Sequence, residues 1–315
     1  MQRINGFLNL DEYFNEIKNN KSLSDVDLET LGYILPSDYK WNQCWLKINN
    51  EYYYFKVTRN LYHELIVSEC AKFLGVDTID YDLAIFENSE GVISKSYHKK
   101  GYNYTSGTKI LLKYILDNNY GILEDMGFDK SELEKKEFDI VDYINNLEII
   151  WQALEQRYKK IDIRKLIDKF ILFFMFNILI GQIDGMAQNW EIEENDKEID
   201  LVPFYDGSSA FYYDEEFDDP YGSLSTNFKD KNRNNYVILE EFLNISSTEY
   251  INLFLAKYEL LDYNNFISII EKVENKIEIG IPNRDKQNII ESYLKNRENI
   301  EMVISKISKS RKRVK

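Results

Sequence analysis

Two short stretches of alternating apolar and polar residues, Trp190-Glu191-Ile192-Glu193 and Ile199-Asp200-Leu201, flank the polar turn Glu194-Asn195-Asp196-Lys197. A period of two marks half-buried strands, and two such strands with a short polar link form a β-hairpin. The alternation predicts that Ile192 faces Ile199 and that Trp190 faces Leu201. A hairpin returns the chain to its starting point, so Asn189 and Asp206, 17 positions apart in sequence, are expected near its open end. Amide and carboxylate oxygens are the ligands a hard cation prefers. Asp184 stands five positions before Asn189. One carboxylate to accept a hydroxyl proton, with an Asn and an Asp to hold Mg²⁺ on a nucleotide, is the set that phosphoryl transfer of the protein-kinase type needs. The D-x4-N spacing is weak on its own, and an ordinary surface hairpin flanked by solvated acids is the competing reading.

A second hairpin lies upstream. Residues 41–48 and 51–58 are rich in aromatic and β-branched residues and are joined by Asn49-Asn50, a pair that tolerates the positive φ angles of a tight turn. Lys56 sits in the second strand, within Tyr54-Phe55-Lys56-Val57. A buried ammonium needs a partner. Residues 63–75 read as an amphipathic helix with Leu65, Ile66, Phe73 and Leu74 on its apolar side and Gly75 as its C-cap. A strand lysine paired with a carboxylate on the next helix is how kinases place a phosphate-binding lysine. Glu64 is the first candidate partner and Glu69 the second. Taken in isolation, the pair reads rather as a lysine snorkelling at a sheet edge and a solvated glutamate.

Four segments, "YYFK", "HELIVSECAKFLGV", "ILIGQIDGMAQNW" and "LVPFYDGSS", occur in this order between residues 40 and 212. In them the chain resembles the HipA-type kinases, specifically the shorter HipA-like and CtkA-like serine/threonine protein kinases that lack HipA's extra N-terminal subdomain. The last two segments are specific and the first two supportive. The resemblance implies a bilobal, protein-kinase-like α+β fold with an antiparallel-sheet N-lobe over residues 1–105 and a mostly helical C-lobe over residues 106–315. It implies ATP and Mg²⁺ as cofactors and Asp184 as catalytic base. Asn189 and Asp206 become Mg²⁺ ligands, Lys56 the nucleotide-phosphate lysine and Glu64 its helix partner. Met186 and Gln188 depart from the family, which commonly carries a His and often a Lys at those places. The phosphate-loop region, residues 31–40, holds a single glycine, Gly32, where kinases use several to let backbone N–H groups approach phosphate. Ser37 is the serine there that matches the family's regulatory autophosphorylation site. These departures keep a second reading open, a nucleotide-binding pseudokinase that regulates a partner protein. An unidentified protein substrate and an antitoxin-like regulatory protein are partners suggested by family precedent alone.

Composition narrows the field. A formal charge of −15 disfavours direct binding to the phosphate backbone of nucleic acids. The basic tail from Lys306 to Lys315 is expected to be solvated and frayed. The longest apolar stretch, residues 171–180, is shorter than the about 20 residues a bilayer requires and reads as a buried helix leading into Asp184. Met1-Gln2-Arg3-Ile4-Asn5-Gly6 lacks the apolar core of a signal peptide. With two cysteines there is no disulfide framework, so a cytoplasmic location is expected. His63 and His98 are the two histidines, which argues against a zinc site or a His-based triad. Elsewhere, a helix is expected near residues 10–14, and a strand pair over 81–86 and 92–94 joined across Ser89-Glu90-Gly91. Mostly helical stretches follow over 106–180, with Ser131 as an N-cap, and over 236–308. Residues 213–235 take the place of an activation or substrate loop and carry Tyr221, Ser223, Ser225 and Thr226 as acceptors.

Overall fold

The computed structural model describes residues 3–11, 43–48, 51–58, 60–118, 147–159, 161–182, 187–211, 239, 243 and 247–313. Asp184, Met186, Gly32, Ser37, Ser131 and the acceptors Tyr221, Ser223, Ser225 and Thr226 lie outside the described residues.

The chain opens with β1 (Arg3–Ile4) and β2 (Phe7–Asn9), and helical backbone begins at Leu10 and Asp11, where a helix was expected. Next come β3 (Gln43–Ile48), β4 (Glu51–Lys56), helix α1 (Leu61–Leu74), β5 (Tyr81–Phe86) and β6 (Ser89–Lys95). These six strands form one sheet in the order β1-β2-β5-β6-β4-β3, antiparallel except where β2 runs parallel to β5. Ile48 pairs with Glu51 and Gln43 with Lys56, so the upstream hairpin has the expected partners. Cys44, Leu46 and Ile48 alternate inward on β3 and join Leu10, Phe55, Phe86 and Ile93 in a small core on one face.

The β5–β6 hairpin turns at Glu87-Asn88, not across Ser89-Glu90-Gly91. Phe86 pairs with Ser89, and both turn residues take positive φ (51° and 59°), the geometry a two-residue turn needs to follow the strand twist. Glutamate is an unusual residue there, which hid the turn from the sequence. The carboxylate of Asp11 accepts both turn N–H groups, at 2.7 and 3.0 Å.

The remainder is β7 (Asn103–Ser106), α2 (Gly107–Asp117), α3 (Leu147–Arg157), α4 (Arg164–Ile180), a 3₁₀ turn (Ala187–Asn189), β8 (Glu191–Glu194), β9 (Ile199–Leu201), α5 (Thr248–Leu260), α6 (Tyr263–Ile277) and α7 (Asn283–Arg313). Ser106 caps α2 by accepting the Lys109 N–H. Helix α7 continues to Arg313, so most of the basic tail is helical rather than frayed. Strands β7, β8 and β9 form a second sheet, which places the residues on both sides of position 105 in one element.

The β8–β9 hairpin exists, but two residues out of the expected register. Ile192 pairs with Leu201 and Glu194 with Ile199. The turn is therefore Asn195-Asp196-Lys197-Glu198, closed by the Asn195 side chain, whose oxygen accepts the N–H groups of Lys197 and Glu198. Trp190 precedes the strand. It is 1% exposed and meets Phe170 of α4 edge-on at 4.9 Å.

Helix α4 is apolar nearly all round and is buried accordingly, as expected from residues 171–180. Each fully buried Phe or Leu contributes about 1.5–3 kcal/mol relative to exposure. Phe176 is one of these and packs edge-on against Phe204 at 5.0 Å. Helix α1 shares this larger core with α4 and α6, through Leu65, Ile66, Cys70 and Leu74. It ends as expected at Gly75, whose φ of 72° suits glycine. Among the described residues no helix is long and apolar enough to cross a membrane.

Candidate functional site

Strand β4 carries Lys56 to the edge of a cleft. Its ammonium lies 3.2 Å from Glu64 Oε1 on α1, 2.5 Å from Asp206 Oδ1 and 3.3 Å from Ser208 Oγ. Glu64, not Glu69, is thus the partner. Its side chain is wholly buried, while those of Lys56 and Asp206 are 22% and 30% exposed. Burial works against the Lys56 charge, but the two carboxylates outweigh it and hold its pKa above the usual lysine range. Burial, opposed by Lys56 and reinforced by Asp206, pushes Glu64 up to about 7. The physical reason is first the loss of water around a wholly buried carboxylate, which one ammonium shared with a second carboxylate does not offset.

Asp206 reaches this position through the strand end that precedes it. Phe204 bridges to the turn after α1, donating its N–H to Asp77 and accepting that of Ile79. Asp206 itself adopts φ 59°, a conformation uncommon outside glycine. Gly207 follows and donates its N–H to Glu64 Oε2 at 2.7 Å. Any Cβ at Gly207 would lie 2.6 Å from Val67, so α1 and this segment touch only because the residue is glycine. Asn60, just before α1, donates its side-chain amide to the Ser208 carbonyl at 2.8 Å, and the His63 ring nitrogen lies 2.7 Å from the Ala210 carbonyl oxygen.

Lys56, Asp206 and Tyr81 line one end of a cavity of about 320 Å³. The other end is aromatic. Trp45, Tyr97, His98 and Tyr205 stand there beside Glu191. Tyr97 stacks on Tyr205 at 5.7 Å and donates its hydroxyl to Glu191 at 2.9 Å. A planar base can pack against exposed aromatic faces of this kind, and an ammonium in the same cavity suits phosphate. Burial and the neighbouring acids push the Tyr97 and Tyr205 hydroxyls far above the usual tyrosine range, so both remain neutral donors.

The structure therefore joins Lys56, Glu64 and Asp206. Asn189 lies in the 3₁₀ turn before β8, is 8% exposed, and does not line the cavity. The Tyr205 hydroxyl donates to the Gln188 carbonyl at 3.1 Å and so ties the two strands of residues that leave the hairpin's open end. Among the described residues no three His, Cys, Asp or Glu side chains cluster in a way that could hold a metal. Asp206 is the one carboxylate of the expected ligand set that falls within them.

Sequence reasoning missed Tyr81, Gln182, Ser208 and the aromatic end. Gln182 left a signal, as a polar residue directly after a long apolar helix and Gly181. The aromatic residues left none. They come from β3, the stretch after β6 and the stretch after β9, and nothing local marks them among 24 tyrosines.

A mixed sheet bearing a lysine, a helix bearing its carboxylate partner and a helical remainder define a protein-kinase-like α+β fold. Solved structures share it, two of them as follows. The Helicobacter pylori proinflammatory kinase CtkA matches with a TM-score of 0.61 and 20% identity over 83% of this chain and 90% of that one. HipA of Shewanella oneidensis MR-1, solved in a toxin–antitoxin complex with HipB and operator DNA, matches with a TM-score of 0.53 and 14% identity over 94% of this chain and 71% of that one. The fold is that of the HipA-like and CtkA-like kinases. No protein-family model and no curated protein matches the sequence.

Proposed function

We propose that the chain is an ATP-dependent Ser/Thr protein kinase of HipA-like type. The observation that carries this reading is the Lys56 ammonium, held between Glu64 on α1 and Asp206 at the end of a cavity whose other end is aromatic. In this reading Trp45, Tyr97 and Tyr205 enclose the base. Lys56 holds the α- and β-phosphates, and Glu64 keeps Lys56 extended toward them. Asp184 orients the acceptor hydroxyl and takes its proton, an assignment that rests on the D-x4-N spacing.

Asp206 and Asn189 would hold Mg²⁺. The Asp206 carboxylate fits a hard cation and already has a cationic partner in Lys56 at 2.5 Å, while the role of Asn189 rests on the D-x4-N spacing. When bound, Mg²⁺ supplies neutralisation of phosphate charge. Phosphate entering the cleft draws Lys56 away from Asp206 and frees that carboxylate.

The lobes in this reading are the six-stranded sheet with α1 and the helical remainder. Because β7 pairs with β8, their boundary belongs between Lys95 and Asn103 rather than at residue 105. The acceptor is a serine or threonine of a protein, and the location is the cytoplasm. The HipA complex with HipB motivates an antitoxin-like regulator as partner.

Transfer of labelled phosphate from Mg-ATP to protein tests the reading. Asp184→Ala and Asp206→Ala should each lower transfer by about 100-fold or more while leaving the melting temperature near that of the parent. Equal transfer by Asp206→Ala overturns the assignment. Mg-ATP stabilisation without any transfer would instead identify a nucleotide-binding regulator.

A further inference from the structure

Three consecutive main-chain groups at Asp206 and Gly207 are each gripped by a buried side chain from a different element. The Asp206 N–H donates to the Tyr81 hydroxyl of β5 at 3.1 Å. The Asp206 carbonyl accepts from the Gln182 side-chain amide, just after α4, at 2.8 Å. The Gly207 N–H donates to Glu64 of α1 at 2.7 Å. Tyr81 is 7% exposed, Gln182 1% and Glu64 0%. These are costly groups to bury unless their hydrogen bonds are specified.

They surround a residue in an unfavourable conformation. At φ 59°, Asp206 lies in the left-handed region, which residues with a Cβ seldom occupy. Such strain persists only where the surroundings over-determine it. Released, the residue would relax to negative φ and swing its carboxylate away from Lys56.

We propose that Tyr81, with Gln182, is a positioning residue that clamps the main chain of Asp206 so that its carboxylate stays aimed into the cleft. The clamp deepens the kinase reading, because the residue it fixes is the one carboxylate proposed to hold the cation. Tyr81 comes from the sheet, Gln182 from the end of the long buried helix and Glu64 from α1. The clamp thus makes the aim of one carboxylate depend on the relative placement of three elements.

Tyr81→Phe keeps the ring and removes the hydroxyl. In ligand-free protein, hydrogen exchange of the Asp206 amide should be slow in the parent and faster by about 3- to 10-fold in Tyr81→Phe, with the melting temperature little changed. A rapidly exchanging Asp206 amide in the parent, or equal protection in the variant, overturns the clamp whatever the protein's activity. In a second arm, nucleotide binding is titrated with Mg²⁺. The half-saturating Mg²⁺ concentration should rise about 3- to 10-fold in Tyr81→Phe and in Gln182→Met, while affinity in EDTA stays constant. In an Asp206→Ala background Tyr81→Phe should add nothing, since it acts through that residue. An additive effect there overturns the positioning role. A parent protein that binds nucleotide with no Mg²⁺ dependence defeats the kinase reading and leaves the exchange result to decide the clamp.

Discussion

Helix α1 carries two buried glutamates that meet lysines in opposite ways. Glu64, in the first turn, shares one ammonium with Asp206. Glu69, further along the helix, meets two ammonium groups, in a network where three lysines serve two acids. Lys72 lies 2.8 Å from one of its oxygens and Lys272 of α6 lies 2.6 Å from the other. Lys72 also reaches Asp80, and Lys276 of α6 sits 3.4 Å from that same acid. Burial raises the pKa of both glutamates, but at Glu69 the two lysines win and the net shift is downward. At Glu64 burial wins. The lysines around Glu69 keep much of their water, since Lys272 is 67% exposed, so that network costs little to form. The cluster around Glu64 is short of positive charge and can accept more. One end of the helix anchors it to α6, and the other holds an electrostatic deficit in the cleft.

Substitutions at the two ends should separate these roles. The largest effect is expected for Lys56→Met, which should lower phosphoryl transfer by about 100-fold or more in a labelled-phosphate assay. A variant retaining a third of parental transfer would break the distinction between the two ends. Glu69→Ala should leave transfer within about twofold but lower the unfolding free energy by roughly 1 kcal/mol in urea titration, because two partly solvated lysines lose a shared partner.

A subtler effect is expected from Glu64→Gln, read as the pH dependence of stability. Glu64 titrates near 4.5 when unfolded and near 7 when folded. Its contribution to stability is complete below about 4.5 and is lost as pH rises toward about 7. Melting curves across that window should fall less steeply for Glu64→Gln than for the parent, and parallel slopes would show that Glu64 is not the group titrating. The smallest effect belongs to Lys272→Met, with a stability change of about 0.5 kcal/mol or less and unchanged transfer.

The elements of this chain were legible where their signals are local. The apolar run of residues 171–180, the glycine after α1 and the aromatic strands around Lys56 each specify their own backbone. The hairpin after Asn189 was legible as a hairpin but not in its register. Alternation fixes which face a residue takes, and a two-residue slip preserves faces. The Asn195 side chain decided between the two registers by closing the turn one residue later. The Glu87-Asn88 turn was hidden because its conformation is enforced from outside, by Asp11.

By itself the sequence determined a strand bearing an ammonium and, eight residues on, a helix bearing a carboxylate, and left open whether the two meet. It also determined the order of the apolar segments that build the core. Only the tertiary structure decided that Asp206 joins that pair across 150 positions of sequence, and that Tyr81 and Gln182 hold its main chain. The aromatic end of the cavity was decided there too. The reason is the same in each case. Contacts between distant segments are set by how whole helices and sheets pack, and that packing leaves no periodic trace in any one stretch of chain.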